Sequence, residues 1–289
     1  MFPSRPTRSL TGVLLMLLGL SLFSLAALGE WTTWGRGYGD QKRDWERFDP
    51  ALVTQVQDYT ALNHAVDKKL EGNSLSDAEK IALMCDIVED RFTHAEATHT
   101  LASNWILYLA GFVHPTFRHI WSPERLVSHG YSLFCDQASY LLLHLAHAHG
   151  FKARHIGLQG HVVMEVWYDN DWHLYDPDLE IIPTNEQGRV LSLDELAHNE
   201  PLLTRYYGPH PDMVDLIRHR ENHLYMSTPE EARFEWKGNV LAKLEIVTEV
   251  LKFAIPLLLI LLGLRLRRPA LPQPFPAPSL ATAPEAAAA

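Results

Sequence analysis

The sequence predicts an α+β domain carried between two membrane-spanning helices. Three observations predict it. A helical pattern from Cys135 to Gly150 runs into three short strand patterns, 153–158, 161–168 and 172–176. The run Leu10 to Leu28 has no charged residue and is long enough to span a bilayer. A second candidate span, Ile246 to Leu264, has its only charges, Glu249 and Lys252, near its start.

Taken in order, residues 1–9 carry Arg5 and Arg8 and no acid, and with the following apolar run they form an anchor over 1–30. Ala27-Leu28-Gly29 also fits a signal-peptide cleavage site, but the length of the run favours an uncleaved helix, with Trp31 and Trp34 as an interfacial belt. Residues 31–74 read as an extracytoplasmic entry segment with a helical pattern through Leu52, Val53, Val56, Tyr59 and Leu62. The core is expected over 75–210. Ser76 and Glu79 form a capping box ahead of a helix that turns Ile81, Cys85, Ile87 and Val88 inward. Leu101 to Val113 is apolar but too short to span; it reads as a buried helix, with a surface that dips into lipid as the alternative. Ser122-Pro123 starts another short helix.

Beyond the strands, Ser192-x-x-Glu195 caps a helix whose Leu193 and Leu196, with Leu202 and Leu203, would cover one side of the core. A helical segment is expected over 211–245, with a further cap at Thr228-x-x-Glu231. The second membrane helix is expected over 246–266, and a disordered Pro/Ala-rich tail over 267–289. Arg5 and Arg8 precede the first apolar run, and Arg265, Arg267 and Arg268 follow the second. The positive-inside rule then puts both ends in the cytoplasm and the core outside, in a periplasmic position at an inner membrane.

The formal net charge is −10 and no basic stripe is present, which argues against a nucleic-acid partner. With two cysteines in 289 residues, Cys85 and Cys135, the chain is no disulfide scaffold, and both are expected as thiols. No phosphate-binding loop or paired-carboxylate site stands out.

A cysteine at a helix start, a histidine on one strand and a carboxylate at the end of the next is the arrangement of a nucleophilic triad. Cys135 would attack, helped by helix-start N–H groups and a neighbouring imidazolium that favour the thiolate. His161 would carry the proton, and Asp176 would fix its tautomer. Each residue has a plainer reading alone: a buried small hydrophobe, a hydrogen-bonded strand histidine, a turn residue before Pro177. Their joint placement carries the case. Strand parity adds a geometric condition. If Tyr168 to Asp171 forms a four-residue loop, Trp167 pairs with Trp172 and Val163 with Asp176, bringing Asp176 within reach of His161; a two-residue loop at Asn170-Asp171 would pair Asp176 with Glu165 instead, so the wider loop or an equivalent bulge is expected.

Cys135 before its helix, Gly150-Phe151-Lys152-Ala153-Arg154, Gly160-His161-Val162-Val163-Met164-Glu165-Val166-Trp167 and Trp172-His173-Leu174-Tyr175-Asp176-Pro177 together resemble the transglutaminase-like superfamily. The resemblance covers about 75–185 and departs in having Leu133 where many members have a small residue. It implies a papain-type core: a nucleophile-bearing helix on a small antiparallel sheet, with Cys135, His161 and Asp176 as the triad. It also implies acyl-thioester chemistry on an amide or ester, as a peptidase or amidase or as an amine acyltransferase. No cofactor and no metal are implied. The partners would be a protein, peptide or other amide or ester substrate in the cell envelope, and the bilayer. The alternative is a catalytically silent module that uses the same cleft for binding in envelope or polysaccharide assembly.

Other residues carry less. His144 and His147 share a helix face without a zinc spacing and read as a solvated or rim face. His94 and His99 belong to no motif. Glu165 shares the face of His161 and could line a cleft or form a cross-strand ion pair. Trp167 and Trp172 would pack the sheet and roof the site.

Overall fold

A computed structural model of the chain describes residues 5–32, 42–225 and 233–267. Helix α1 (Arg5–Trp31) contains the first apolar run. The entry segment folds as two helices, α2 (Pro50–Gln55) and α3 (Tyr59–Leu70). Asp49 and Asp58 explain the break, because their side chains accept the N–H groups of Ala51 and Ala61 and each opens a new helix. Helix α4 (Asp77–Arg91) starts on the Ser76/Glu79 capping box and buries Ile81, Cys85, Ile87 and Val88.

Strand β1 (Thr93–His94) leads through helices α5 (Trp105–Ala110) and α6 (Pro123–His129) to β2 (Ser132–Leu133), its parallel partner. Helix α7 (Cys135–Ala148) follows at once. Gly150 then adopts φ 84, the left-handed conformation that lets the chain leave the helix for the sheet. The sheet strands are β3 (Lys152–Gly157), β4 (Val162–Tyr168) and β5 (Asp171–Tyr175). Helices α8 (Leu193–Ala197), α9 (Glu200–Tyr207) and α10 (Pro211–Arg218) precede β6 (Leu224–Tyr225) and helix α11 (Arg233–Arg267).

The main sheet is antiparallel in the order β5-β4-β3-β6. Its period-two pattern feeds two cores. Ala153, Met164, Val166 and Tyr175 pack with the leucines of α7 and with α4. Ile156, Val163 and Leu174 pack with Leu193, Leu196, Leu203 and Ile217 of α8 to α10. Each fully buried aliphatic side chain contributes roughly 1.5–3 kcal/mol. A slip of one residue would exchange the two sets, so the register is strongly held. The β4–β5 register is Trp167↔Trp172, as parity requires, but the loop is shorter than expected. Tyr168 pairs with Asp171, and Asp169-Asn170 forms a two-residue turn at φ 50 and 62.

Helices α1 and α11 are long and apolar enough to cross a bilayer, which points to membrane association. They pack closely enough that a Cβ on Gly263 would lie 2.5 Å from the Gly12 carbonyl oxygen. Helix α11 begins thirteen residues before the expected span. The Thr228 cap, Trp34 and the Pro/Ala-rich tail lie outside the described residues. The stretch Leu101–Val113 corrects the expectation of a buried helix. Leu107 is buried, but Leu101, Leu109, Phe112 and Val113 are exposed, the last two by 73% and 86%.

Candidate active site

Cys135 is the first residue of α7, and one turn later Ser139 donates its hydroxyl to the Val162 carbonyl at 3.0 Å. That bond fastens the start of α7 to the first residue of β4, beside His161. His161 itself closes the β3–β4 turn, where Gln159 has φ 52 and Leu158 N–H donates to the His161 carbonyl at 2.8 Å. Asp176 follows β5 and exchanges both backbone hydrogen bonds with Ile181, each 3.0 Å.

These local constraints bring the three residues together. His161 Nε2 lies 2.8 Å from Asp176 Oδ2. The same oxygen accepts the Tyr207 hydroxyl at 3.1 Å, and Oδ1 accepts Leu179 N–H at 3.2 Å. Asp176 is therefore fully buried yet well supplied with donors, the condition under which a buried carboxylate is tolerated. With Nε2 committed to Asp176, Nδ1 is the nitrogen left for the thiol. Cys135 Sγ, a His161 ring nitrogen and an Asp178 carboxylate oxygen all lie within 4.8 Å of one another.

The site opens on a cleft of about 420 Å³ whose lining includes Trp45, His94, Phe134 and His210. The His94 ring meets Phe134 at 5.2 Å and Trp45 at 5.8 Å, edge to face. Glu46 is buried and accepts the N–H groups of Arg43 and His94, each at 2.8 Å, so it holds this wall against β1.

Two residues here were not singled out in the sequence. Asp178 Oδ1 lies 2.6 Å from His94 Nδ1, and its Oδ2 lies 3.8 Å from His161 Nδ1. Asp178 sits two residues beyond Asp176, so its place in the strand-end motif was an available signal. His94 offered none, because a two-residue strand has no periodicity to read.

The electrostatic influences on the sulfur oppose one another. Burial pushes the Cys135 thiol above its ordinary range; His161 pulls it down, but Asp178 and Asp136 push it further up. Burial and the two carboxylates thus oppose the thiolate that the helix start and His161 favour. Burial works against charge on His161, yet Asp176 and the cysteine outweigh it and hold the imidazole well above its usual value. Asp136 is answered by His119, whose Nε2 is 3.2 Å away and whose Nδ1 is 2.9 Å from Glu96.

The remaining expectations divide. Both cysteines are free, and Cys85 is buried with its thiol 3.0 Å from Glu89. Glu165 makes the cross-strand pair with Arg154 at 2.6 Å and accepts Leu193 N–H at 2.7 Å, so it belongs to the sheet. Trp167 and Trp172 stack edge to face at 5.3 Å near the β4–β5 turn, under Lys152 and Arg154, at the end of β4 away from His161. They do not roof the cleft. His147 is exposed, but His144 is half-buried against Tyr140 at 4.4 Å, and burial lowers its pKa to about 4. His99 is buried, with Nε2 3.5 Å from Glu245 of α11.

Thiol, imidazole and carboxylate are donors that suit zinc, and among the described residues Cys135, His161 and Asp178 are the trio placed to hold an ion. An ion there would occupy the sulfur of the triad. No protein-family model, curated protein or solved structure matches the chain.

Proposed function

We propose that this chain is a membrane-anchored cysteine enzyme with a transglutaminase-like core, acting on an amide or ester through an acyl-thioester. The observation that carries the reading is the His161–Asp176 contact of 2.8 Å, with the Cys135 sulfur within 4.8 Å of the imidazole at a helix start beside an open cleft. Cys135 attacks the carbonyl carbon and forms the S–C bond as its proton passes to His161. The imidazolium gives that proton to the departing amine or alkoxide as the C–N or C–O bond breaks. Water or an amine then attacks the thioester, His161 takes its proton, and the thiol is regenerated. Asp176 holds the ring and favours its cation. The backbone N–H of Cys135 is the natural first donor to the oxyanion.

The substrate is an amide or ester of the cell envelope. The arginines flanking the two apolar runs favour the extracytoplasmic side for the domain. A reporter active only outside the cytoplasm should work when fused at residue 200 and fail after residue 267.

An electrophilic acyl probe on membranes tests the enzyme. Labelling at Cys135, lost in Cys135→Ala with the fold retained, is expected; an unlabelled wild-type Cys135 refutes it. A second reading, a silent binding module in envelope or polysaccharide assembly, uses the same open cleft. That reading expects the Cys135→Ala protein to keep its cellular function.

A further inference from the structure

The charges of α11 lie too deep for an ordinary span. Between Lys252 and Arg265 there are twelve apolar residues, Phe253 to Leu264. At 1.5 Å per residue they cover only about 18 Å of a hydrocarbon core about 30 Å thick. The nineteen residues Leu10 to Leu28 of α1 cover about 28 Å. The two helices run antiparallel in contact, with Gly12 at Gly263, Phe23 5.5 Å from Phe253, and Glu30 bonded to Lys252. The upper end of the apolar run of α1 is therefore level with Glu249 and Lys252.

The side chains of α11 at this height divide by direction. Ile246, Val247, Val250 and Leu251 are exposed, whereas Glu245, Thr248 and Lys252 are buried. A soluble surface has no reason to turn its aliphatic residues out and its lysine in. A lipid-facing surface does.

The segment before α5 is built into this level. A Cβ on Gly29 would lie 2.0 Å from the Ala102 carbonyl oxygen, so α1 and the chain at 102–103 touch backbone to backbone. Lys252 Nζ donates to the Ser103 carbonyl at 2.7 Å, and Asn104 Nδ2 to Thr248 Oγ1 at 2.9 Å. Pro256 lacks the N–H that would bond the Lys252 carbonyl in a regular helix. Trp105 Nε1–H supplies a donor there instead, at 3.1 Å. Helix α5 thus leaves α11 at the height where the bilayer ends, carrying exposed Leu109, and the turn after it carries exposed Phe112 and Val113. Arg118 lies over Tyr108, 4.8 Å from its ring, at the polar edge of the same segment.

We infer that Leu101–Val113 is a lipid-inserting segment that lies in the outer interface of the bilayer, so that the domain is partly submerged as well as tethered. The occupant of the apolar face is the acyl-chain and headgroup boundary, continuous with the lipid around α1 and α11. This inference rests on the membrane reading of the two helices and is independent of the triad.

The test uses the full chain in phosphatidylcholine nanodiscs, with Cys85 and Cys135 replaced by alanine. An environment-sensitive dye is placed in turn at Phe112→Cys, Val113→Cys, Val250→Cys and, as a solvent control, Lys68→Cys. Dyes at 112, 113 and 250 should be quenched by lipids bearing a nitroxide high on the acyl chain and shielded from aqueous iodide. The dye at 68 should show the reverse. Iodide quenching at 112 and 113 overturns the inference, and at 250 it removes the depth argument. Lipid shielding at 112 that is lost when nanodiscs hold one chain instead of two assigns the face to a second copy, which also overturns it. In the native-cysteine chain, Phe112→Asp with Val113→Asp should weaken vesicle association of the domain face, read as restored protease access at 101–113. The alkylation rate of Cys135 should stay unchanged, so failure of the triad reading would show separately.

Discussion

Two buried charge clusters sit in this molecule, and they are built on opposite principles. Around Lys252, fully buried, every donor is spent: Glu30, Glu249 and the Ser103 carbonyl take the ammonium, and Arg125 takes Glu249 from the other side at 2.5 Å. Around His161, one ring nitrogen is spent on Asp176 and the other is left beside a thiol and a second carboxylate, next to a cleft. A saturated cluster is a joint. A cluster that retains an uncommitted proton and an opening is where chemistry can occur. The comparison shows that burial of charge marks neither role; what matters is whether the partners close.

The strongest break in the comparison is Asp176→Asn. It keeps the shape but takes away the acceptor that sets the ring, and it should slow acyl-probe labelling of Cys135 by roughly 10²–10⁴-fold. Pseudo-first-order labelling kinetics measure it, and an unchanged rate dissolves the triad. Lys252→Ala should do the opposite. Leaving Glu30 and Glu249 to share Arg125 should cost about 3–5 kcal/mol, as for other buried pairs that lose one partner. It should be read as a lower unfolding temperature in nanodiscs, with Cys135 labelling unaltered well below it.

A subtler change concerns pH. Burial, then Asp178 and Asp136, keep the Cys135 thiol above its ordinary range. Its alkylation should therefore rise with pH on the alkaline side of a free thiol. Neutralising a nearby negative charge favours the thiolate, so Asp178→Asn should move that midpoint to lower pH. A midpoint that stays or climbs would mean the carboxylate does not act on the sulfur. The smallest effect belongs to Cys85→Ala. Removing one buried sulfur leaves a small cavity worth about 1 kcal/mol, with labelling at Cys135 preserved. Urea unfolding read by tryptophan fluorescence checks it.

The legible parts of the sequence were those governed by local rules. The Ser76 and Ser192 capping boxes form as read, because a cap depends on residues three apart. Strand parity narrowed the β4–β5 register to a few even loops, and the need for Asp176 to reach His161 selected the Trp167–Trp172 pairing that forms. The wall of the cleft was illegible. His94 reaches the cleft beside Cys135 through a parallel pair of two-residue strands that only long-range packing creates, and Trp45 lines the same cleft. Leu101–Val113 misled for another reason: apolar composition is the same whether a segment faces a core or lipid.

Helix α11 is one unbroken element from the bilayer to the back of α7, where Gly238 meets the Tyr140 ring and Asn239 lies 3.2 Å from its hydroxyl. Fourteen residues separate Gly238 from Lys252, about 21 Å of helix. The altitude of α7 over the membrane is thereby written as a residue count. Adding or deleting one full turn between 239 and 245 would raise or lower the cleft by about 5 Å, changing what stands at its height.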